Sequence, residues 1–280
     1  MYSARFGGGA AITCLARLVG LVRLVWLACL AGCGGASSTA TTPPVDAGLD
    51  LGAPVPGSDF DADVDANSSP HPQPVDGGYA TLDGAVLPAS RFVTKVVSFT
   101  PGACAGFGAS RMPDVVFGPP VGGSDTEGGL DVVSLGIGGE IVVSFEPNAV
   151  VDGPGADFLV FENAFYAAGN PNDIFADPGE VSGSDDGVTW TTFPCTATAA
   201  PYGACAGWHP VYSSPTNGIS PFDPKAAGCD PYDLADVGVA RARFVRIRDK
   251  STQSCPTTTP RPSTDGFDLD ALAIVNAAQP

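Results

Sequence analysis

VSGSDDGVTW at residues 181–190 and ARFVRIR at residues 242–248 decide the fold of this 280-residue chain. In the first stretch, Asp186 and Gly187 form a tight-turn signal between two short runs, a pattern typical of a β-hairpin. In the second, polar and apolar side chains alternate, so one face of a strand points to a core and the other to solvent. Both stretches therefore predict antiparallel strands in a sheet with one solvated face.

Similar short runs recur between turn signals along the rest of the chain. The 36 glycines and 27 prolines favour short strands joined by turns over long helices. The absence of a strand–helix–strand rhythm disfavours a doubly wound or barrel enzyme. Residues 89–280 are predicted to form one all-β domain, an antiparallel β-sandwich. Its predicted strands span residues 92–99, 131–135, 140–145, 157–162, 180–184, 188–193, 242–248 and 267–275.

The two opening stretches resemble strands of discoidin-like, galactose-binding-like jelly rolls, the fold of many carbohydrate-binding modules. Residues 132–165, with SLGIGGEI and DGPGADFLVFEN, are similar to poorly characterised bacterial cell-surface proteins. The resemblance covers most of residues 91–276 and implies a jelly-roll-like sandwich. A long cysteine-bearing insertion between Phe193 and Arg241 departs from the discoidin pattern, so the ligand loops of that family are not transferred to this chain.

The N-terminal segment has the features of an export signal. Arg5, Arg17 and Arg23 accompany a run of Leu, Val and Ala that ends at Leu30-Ala31-Gly32-Cys33. This tetrapeptide resembles the lipobox of bacterial lipoproteins, which implies a signal peptide over residues 1–32 and acylation of Cys33, palmitate included. The acyl chains would hold the protein on a membrane of the cell envelope. Gly34, rather than Asp, follows Cys33, and by resemblance to the enterobacterial sorting pattern this implies the outer membrane or cell surface. A transmembrane anchor is the alternative, but two arginines interrupt the apolar run.

Residues 33–88 are predicted to be a disordered acidic linker. The segment lacks Lys and Arg, is rich in Pro, Gly and Ala, and has too few large apolar residues to offset the entropy of ordering.

The acidic charge of the chain excludes one class of partner. Removing residues 1–32, which carry three arginines and no acid, leaves 10 basic against 30 acidic residues and a net charge of −20. Such a surface repels nucleic acid but offers oxygen ligands to hard cations.

Five cysteines fall in the predicted domain and should pair in an oxidising compartment. We predict disulfides between Cys195 and Cys205 and between Cys229 and Cys255, with Cys104 free or partnered in a related connectivity. A zinc cluster is the alternative, but no Cys-x-x-Cys spacing is present.

Acidic residues cluster near the predicted strand ends. Asp268 and Asp270 lie two apart on a predicted strand, so both carboxylates should project from one face. Calcium takes about six to eight oxygens in flexible geometry, and the resemblance to galactose-binding-like modules implies a structural calcium. The alternative is a solvated rim of turn caps. The predicted calcium ligands are Asp152, Asp157, Glu162, Asp265, Asp268 and Asp270, and Asp233 and Asp236 form a further acidic cluster.

Aromatic side chains in the insertion form a candidate ligand platform. Tyr202, Trp208, His209 and Tyr212 lie in a Pro- and Gly-rich loop region, where they are predicted to bind a ligand. Packing within the loops explains each of them singly as well. Trp190 is predicted to lie in a strand and to face the core.

The sequence contains no motif of a known catalytic class, such as a Gly-x-Ser-x-Gly elbow, a Walker loop or a His-Glu-x-x-His helix. We therefore expect a non-catalytic module that binds a glycan or surface polymer, with calcium as a candidate cofactor. A protein–protein adhesion or scaffold module is the first alternative. A surface polysaccharide hydrolase is the second, because such an enzyme needs only two carboxylates.

Overall fold

A computed structural model of the chain describes residues 71–253, 255 and 265–278. The predicted signal peptide, Cys33 and the predicted linker up to residue 70 lie outside these residues. The regular elements are short strands and single-turn 3₁₀ helices, so the all-β prediction is confirmed. None of the described helices is long and apolar enough to cross a membrane.

Short strands follow one another along the described residues, with 3₁₀ helices between some of them. The strands are β1 (Pro74–Val75), β2 (Gly78–Ala80), β3 (Val86–Pro88), β4 (Lys95–Thr100), β5 (Val133–Ser134), β6 (Glu140–Ser144), β7 (Val150–Val151), β8 (Phe158–Phe161), β9 (Phe165–Tyr166), β10 (Ile174–Phe175), β11 (Gly179–Ser184), β12 (Thr191–Thr192), β13 (Asp230–Tyr232), β14 (Arg241–Ala242), β15 (Phe244–Asp249), β16 (Asp268–Leu269) and β17 (Ala271–Ile274). The 3₁₀ helices are Ala89–Arg91, Ala109–Arg111, Asp114–Val116, Ala167–Gly169 and Leu234–Val237.

A five-stranded antiparallel sheet has the order β12-β11-β15-β6-β4, with β15 in the middle. Val245 pairs with Gly183 on β11 and with Val143 on β6. Val245 and Ile247 are fully buried, while the intervening side chains point outward, as the alternation in this stretch predicts. The strand therefore has one face in the core and one toward solvent.

The predicted hairpin after β11 is a six-residue loop rather than a two-residue turn. Asp186 accepts hydrogen bonds from the N–H groups of Thr189 at 2.7 Å and Val188 at 2.8 Å, and these bonds lower the pKa of Asp186 to about 2. Because Asp186 organises the whole loop in this way, the return strand β12 is only two residues long and begins after Trp190.

The opposing antiparallel sheet has the order β13-β8-β17. All four residues of β8 are fully buried, because the strand has apolar neighbours on both faces. Phe158 and Val160 belong to the core between the two sheets, and Leu159 and Phe161 to a second apolar cluster on the other side of β8. The two sheets therefore form a sandwich with an additional layer over β8.

Strands are present before residue 88, within the predicted linker. Strands β1, β2 and β3 form an antiparallel sheet within that segment. Tyr79 is buried and makes an edge contact with Phe92 at a centroid distance of 5.8 Å. Nδ1 of His71 also forms a hydrogen bond with Oδ2 of Asp131 at 2.8 Å. The linker prediction is wrong for residues 71–88. The composition of the segment is typical of a linker, but one buried residue, Tyr79, attaches it to the domain.

The structure forms disulfides between Cys195 and Cys205 and between Cys104 and Cys255. The predicted pairing of Cys229 with Cys255 is therefore wrong. Cys229 is buried in the second apolar cluster and carries no disulfide. Burial, with the charge of Asp230, raises the pKa of its thiol to about 12, so Cys229 behaves as a small apolar core residue.

Loss of the Cys104–Cys255 bond should destabilise the protein more than loss of the Cys195–Cys205 bond. The first closes a loop with a sequence separation of 151 and the second a loop of 10. In the chain-entropy description these loops contribute about 5 and about 3 kcal/mol, respectively. Urea denaturation of the two paired Cys→Ser variants measures the difference. A larger decrease in the free energy of unfolding for Cys195→Ser/Cys205→Ser than for Cys104→Ser/Cys255→Ser would contradict this expectation.

Candidate functional site

A cleft of about 340 Å³ opens beside the β9–β10 hairpin. Its volume lies at the lower end of the range of small-molecule sites, roughly 300–1,000 Å³. The walls come from the hairpin and from two parts of the long insertion that are distant from it in sequence. The lining residues are Tyr166, Pro171, Asn172, Ile174, Ala200, Pro201, Trp208 and His209.

The hairpin wall is held by backbone pairing and ring stacking. Tyr166 on β9 pairs with Ile174 on β10, and Phe165 stacks on Phe175 at a centroid distance of 5.0 Å. The Tyr166 N–H also donates to Asp125 O at 2.7 Å. The hairpin therefore presents Tyr166 and Ile174 on a fixed backbone.

The opposite wall, the Trp208–His209 turn, is anchored by the buried carboxylate of Asp230. One oxygen of Asp230 accepts the Gly207 N–H at 2.6 Å and the Trp208 N–H at 3.3 Å, and the other accepts His209 Nδ1 at 2.6 Å. Asp230 lies on β13 and pairs with Val160 of the buried strand β8. Burial raises the pKa of Asp230, while the hydrogen bond and charge of His209 oppose that shift. The turn is thus fixed to the centre of the sandwich.

Gly207 is required at the start of this turn. Its φ of +88° is in the left-handed region, and an added Cβ would lie 2.4 Å from the backbone oxygen of Asp177. The close approach of the turn to that backbone helps to set the position of Trp208.

The hydrogen bond to Asp230 also determines which atom of His209 is available. Nδ1 lies against the carboxylate of Asp230, so Nε2 is the ring nitrogen that remains for a ligand. The His209 side chain is 40% exposed and lines the cleft. The imidazole therefore offers one ring nitrogen for a hydrogen bond to a ligand.

Trp208 contributes apolar surface to the cleft. Its ring makes an edge contact with Tyr202 at 6.4 Å and lies 4.0 Å from the ring of His209, centroid to centroid. Its Nε1 is buried and has no hydrogen-bond partner among the described residues. The indole thus presents carbon atoms, and not its N–H, to the cleft.

The four predicted ligand residues have different positions. Trp208 and His209 line the cleft, and Tyr202 packs against Trp208 outside the lining. Tyr212 is 38% exposed and does not line the cleft. Partial burial raises its pKa, with smaller contributions from Tyr166 and Asp125. Tyr166, which lines the cleft, was not predicted from the sequence. Its only signal was a pair of aromatic residues before a turn rich in Asn and Pro.

Trp190 does not face the core as predicted. It precedes β12 and is half-buried, with the guanidinium of Arg246 4.4 Å from its ring centroid. This pair lies on the outward face of the five-stranded sheet, because Arg246 is on the solvent side of β15. The prediction is wrong because the loop organised by Asp186 includes Trp190, and β12 begins only at Thr191.

The six predicted calcium ligands do not form one site. Asp270 lies between β16 and β17, and its two oxygens accept the Val121 N–H at 3.1 and 3.0 Å. Asp268 instead lies beside Glu162, since the strand is interrupted between the two aspartates. The prediction that Asp268 and Asp270 act from one face is therefore wrong. Asp265 lies at the start of the last described segment and its backbone oxygen accepts a bond from Ser134.

Asp152 and Asp157 lie together with Asp233, with one oxygen of each within 4.8 Å of the others. Both oxygens of Asp157 are already occupied. Oδ1 accepts Gly153 N–H at 2.9 Å and Asn276 Nδ2 at 2.8 Å, and Oδ2 accepts Leu234 N–H at 2.7 Å. The buried carboxylate of Asp157 therefore acts as a clamp for three loop segments.

Comparisons with known proteins add no family to this description. No protein-family model matches the sequence, and a comparison with curated proteins gave no match. The resemblance to discoidin-like modules and to lipoproteins therefore remains a prediction, and the function is argued from the geometry of the cleft.

Proposed function

We propose that this chain is a surface lipoprotein, anchored in the cell envelope through lipid at Cys33, whose β-sandwich binds a glycan or other cell-surface polymer. The ligand site is the cleft between the β9–β10 hairpin and the Trp208–His209 turn. The observation that carries the proposal is the rigid attachment of two aromatic rings to the core through Asp230, at the edge of an open cleft.

The chemistry of the lining suits a sugar ring. A pyranose has an apolar C–H face and a rim of hydroxyl groups. Trp208 and Tyr166 offer aromatic surface for the first, while Asn172 and the Nε2 atom of His209 offer hydrogen-bonding groups for the second. Sites of this kind combine apolar walls with a few placed polar groups. Since the cleft is open, it can accommodate part of a longer polymer.

The lining favours binding over hydrolysis. A glycosidase needs two carboxylates facing each other about 5–10 Å apart across the bound sugar. None of the described lining residues is acidic. The cleft therefore supports recognition of a glycan more directly than its cleavage.

A protein–protein adhesion module is the second candidate. Val75, Leu82 and Val86, near the three-stranded sheet at the start of the described chain, are 45%, 75% and 47% exposed. Exposed apolar side chains are a feature of interaction surfaces where they form a contiguous patch. None of the three lines the cleft, so separate variants distinguish the two functions.

Trp208→Ala should weaken glycan binding by about tenfold or more, because loss of a central aromatic side chain costs a binding site about 1.4 kcal/mol or more. The full-length protein in detergent micelles is applied to a glycan array, and retention is compared between wild type and variant. Trp190→Ala is the matched control, since that ring lies on the outer sheet face beside Arg246.

Two results would contradict the proposal. The first is the absence of any retained glycan with the wild-type protein, which would favour the adhesion module. The second is equal loss of retention in Trp208→Ala and Trp190→Ala, which would locate binding elsewhere. Thermal unfolding of each variant shows that a loss of retention does not come from loss of the fold.

A further inference from the structure

A second hollow adjoins the glycan cleft. Its volume is about 290 Å³, slightly less than that of the cleft, and it is open to solvent. His209 lines both cavities, so they meet at its imidazole. The other walls of the hollow are Gly203, Ala204 and Cys205 of the insertion and Asp230, Pro231 and Tyr232 of β13.

One short loop borders both cavities. The disulfide between Cys195 and Cys205 closes this loop, which comprises residues 196–204. Ala200 and Pro201 line the cleft, and Gly203 and Ala204 line the hollow. A polymer that lies in the cleft can therefore follow the loop past His209 into the hollow.

The walls of the hollow are fixed by contacts to both sheets of the sandwich. Tyr232 on β13 is 3% exposed, and its hydroxyl donates to Ala204 O at 3.1 Å. Ala206, which follows Cys205, exchanges two backbone hydrogen bonds of 2.9 Å with Gly179 on β11. Because the walls are already ordered, a ligand does not lose affinity by having to order them.

Neither cavity offers a cation to an anionic ligand. Neither lysine nor arginine is among the described residues that line the cleft or the hollow. Nδ1 of His209 lies 2.6 Å from Oδ1 of Asp230, so this carboxylate offsets the charge of a protonated imidazole. Carboxylate, sulfate and phosphate groups are usually bound by arginine or lysine, and an acidic protein surface repels polyanions. The lining therefore suits uncharged sugars.

We propose that the ligand is an uncharged linear glycan, and that two consecutive sugar residues are held, one in the cleft and the next in the hollow. The inference rests on the proposed glycan-binding function and adds the charge class of the glycan and the shortest length that binds fully. A second sugar adds contacts without a second loss of overall translational and rotational freedom. The affinity should therefore rise steeply from one sugar residue to two.

The test measures affinities of the full-length protein in detergent micelles by titration calorimetry. The probes are glucose, galactose, mannose, xylose and N-acetylglucosamine, the linear di- and tetrasaccharides of each, and galacturonic acid oligomers of the same lengths. We expect the disaccharide of at least one neutral series to bind about tenfold or more tighter than its monosaccharide. The galacturonic acid oligomers should not bind.

Pro231→Trp tests the hollow separately from the cleft. Pro231 is exposed on the edge strand β13, so a larger side chain there can fill the hollow without entering the core. This variant should bind the disaccharide only as tightly as the monosaccharide and leave the affinity for the monosaccharide unchanged. Pro74→Trp is the matched control, because Pro74 is also exposed on an edge strand, β1, and lines neither cavity. Ala204→Trp carries the same test should Pro231→Trp fail to fold.

Two outcomes would overturn this inference and leave the proposed function standing. The first is equal affinity for the monosaccharide and the disaccharide, with Trp208→Ala still weakening both, which would limit binding to the cleft. The second is tighter binding of the galacturonic acid oligomers than of the neutral ones. If the wild type binds none of the probes, the proposed function fails and this inference fails with it.

Discussion

Phe158→Ala is expected to lower the free energy of unfolding by about 3–5 kcal/mol. Phe158 opens the buried strand β8 and is fully inaccessible to solvent. Its ring stacks on Tyr232 at a centroid distance of 5.1 Å and makes an edge contact with Phe193 at 6.0 Å. Because Phe193 follows β12 of the other sheet, truncation removes contacts that join the two sheets and leaves a cavity between them.

Urea denaturation followed by far-ultraviolet circular dichroism measures this loss. Phe175→Ala is the matched control: its ring also stacks on another phenylalanine, Phe165, but is 48% exposed. We expect Phe175→Ala to lower the free energy of unfolding much less than Phe158→Ala, because less buried apolar surface is lost. Equal losses for the two variants would contradict the assignment of β8 to the centre of the sandwich.

Asp230→Asn is expected both to destabilise the protein, by about 2–4 kcal/mol, and to weaken ligand binding in the proposed cleft. An amide has one oxygen where the carboxylate has two, so the N–H of Gly207 or the Nδ1–H of His209 faces an NH₂ group. Leaving a buried donor unpaired costs about 1–3 kcal/mol, and more where the lost bond involved a charge. The turn that carries Trp208 and His209 would also lose its anchor.

Asp223→Asn provides the control for this second prediction. Asp223 is exposed in the same insertion and its Oδ1 accepts the Lys225 N–H at 2.9 Å, a bond that an asparagine oxygen can also accept. The free energy of unfolding of Asp223→Asn should differ from that of the wild type by no more than about 0.5 kcal/mol. Asp230→Asn could lower the free energy of unfolding and still leave the affinity for a glycan retained on the array unchanged. That result would contradict the assignment of Asp230 as the anchor of the Trp208–His209 turn.

The fold was more predictable from sequence than the site, because strand periodicity is local. Alternation in β15 gives the correct inward face, and the apolar run of β8 marks a buried strand. The position of Trp190 was not predictable, since it depends on how Asp186 caps six loop residues. The buried Tyr79 and the partner of Cys255 likewise depend on contacts between segments distant in sequence.

The same difference between local patterns and contacts distant in sequence explains which residues of the cleft were predicted. Trp208 and His209 were predicted from aromatic composition in a Pro- and Gly-rich loop. Tyr166 was missed because it precedes Trp208 by many residues and meets it only through the folding of the insertion over the β9–β10 hairpin. Asp230, the anchor of the turn, carries no sequence signal beyond its charge. Sequence can thus suggest one wall of such a site but not the opposite wall.

The measurement that tests the central claim most directly is the ratio of two dissociation constants for the glycan best retained on the array. Titration calorimetry gives the values for the full-length wild type and for Trp208→Ala, with Trp190→Ala as the reference for a tryptophan outside the cleft. The proposal predicts a ratio of about ten or more for Trp208→Ala and a ratio near one for Trp190→Ala. Unchanged affinity in Trp208→Ala, with the fold intact, would contradict a glycan site in this cleft.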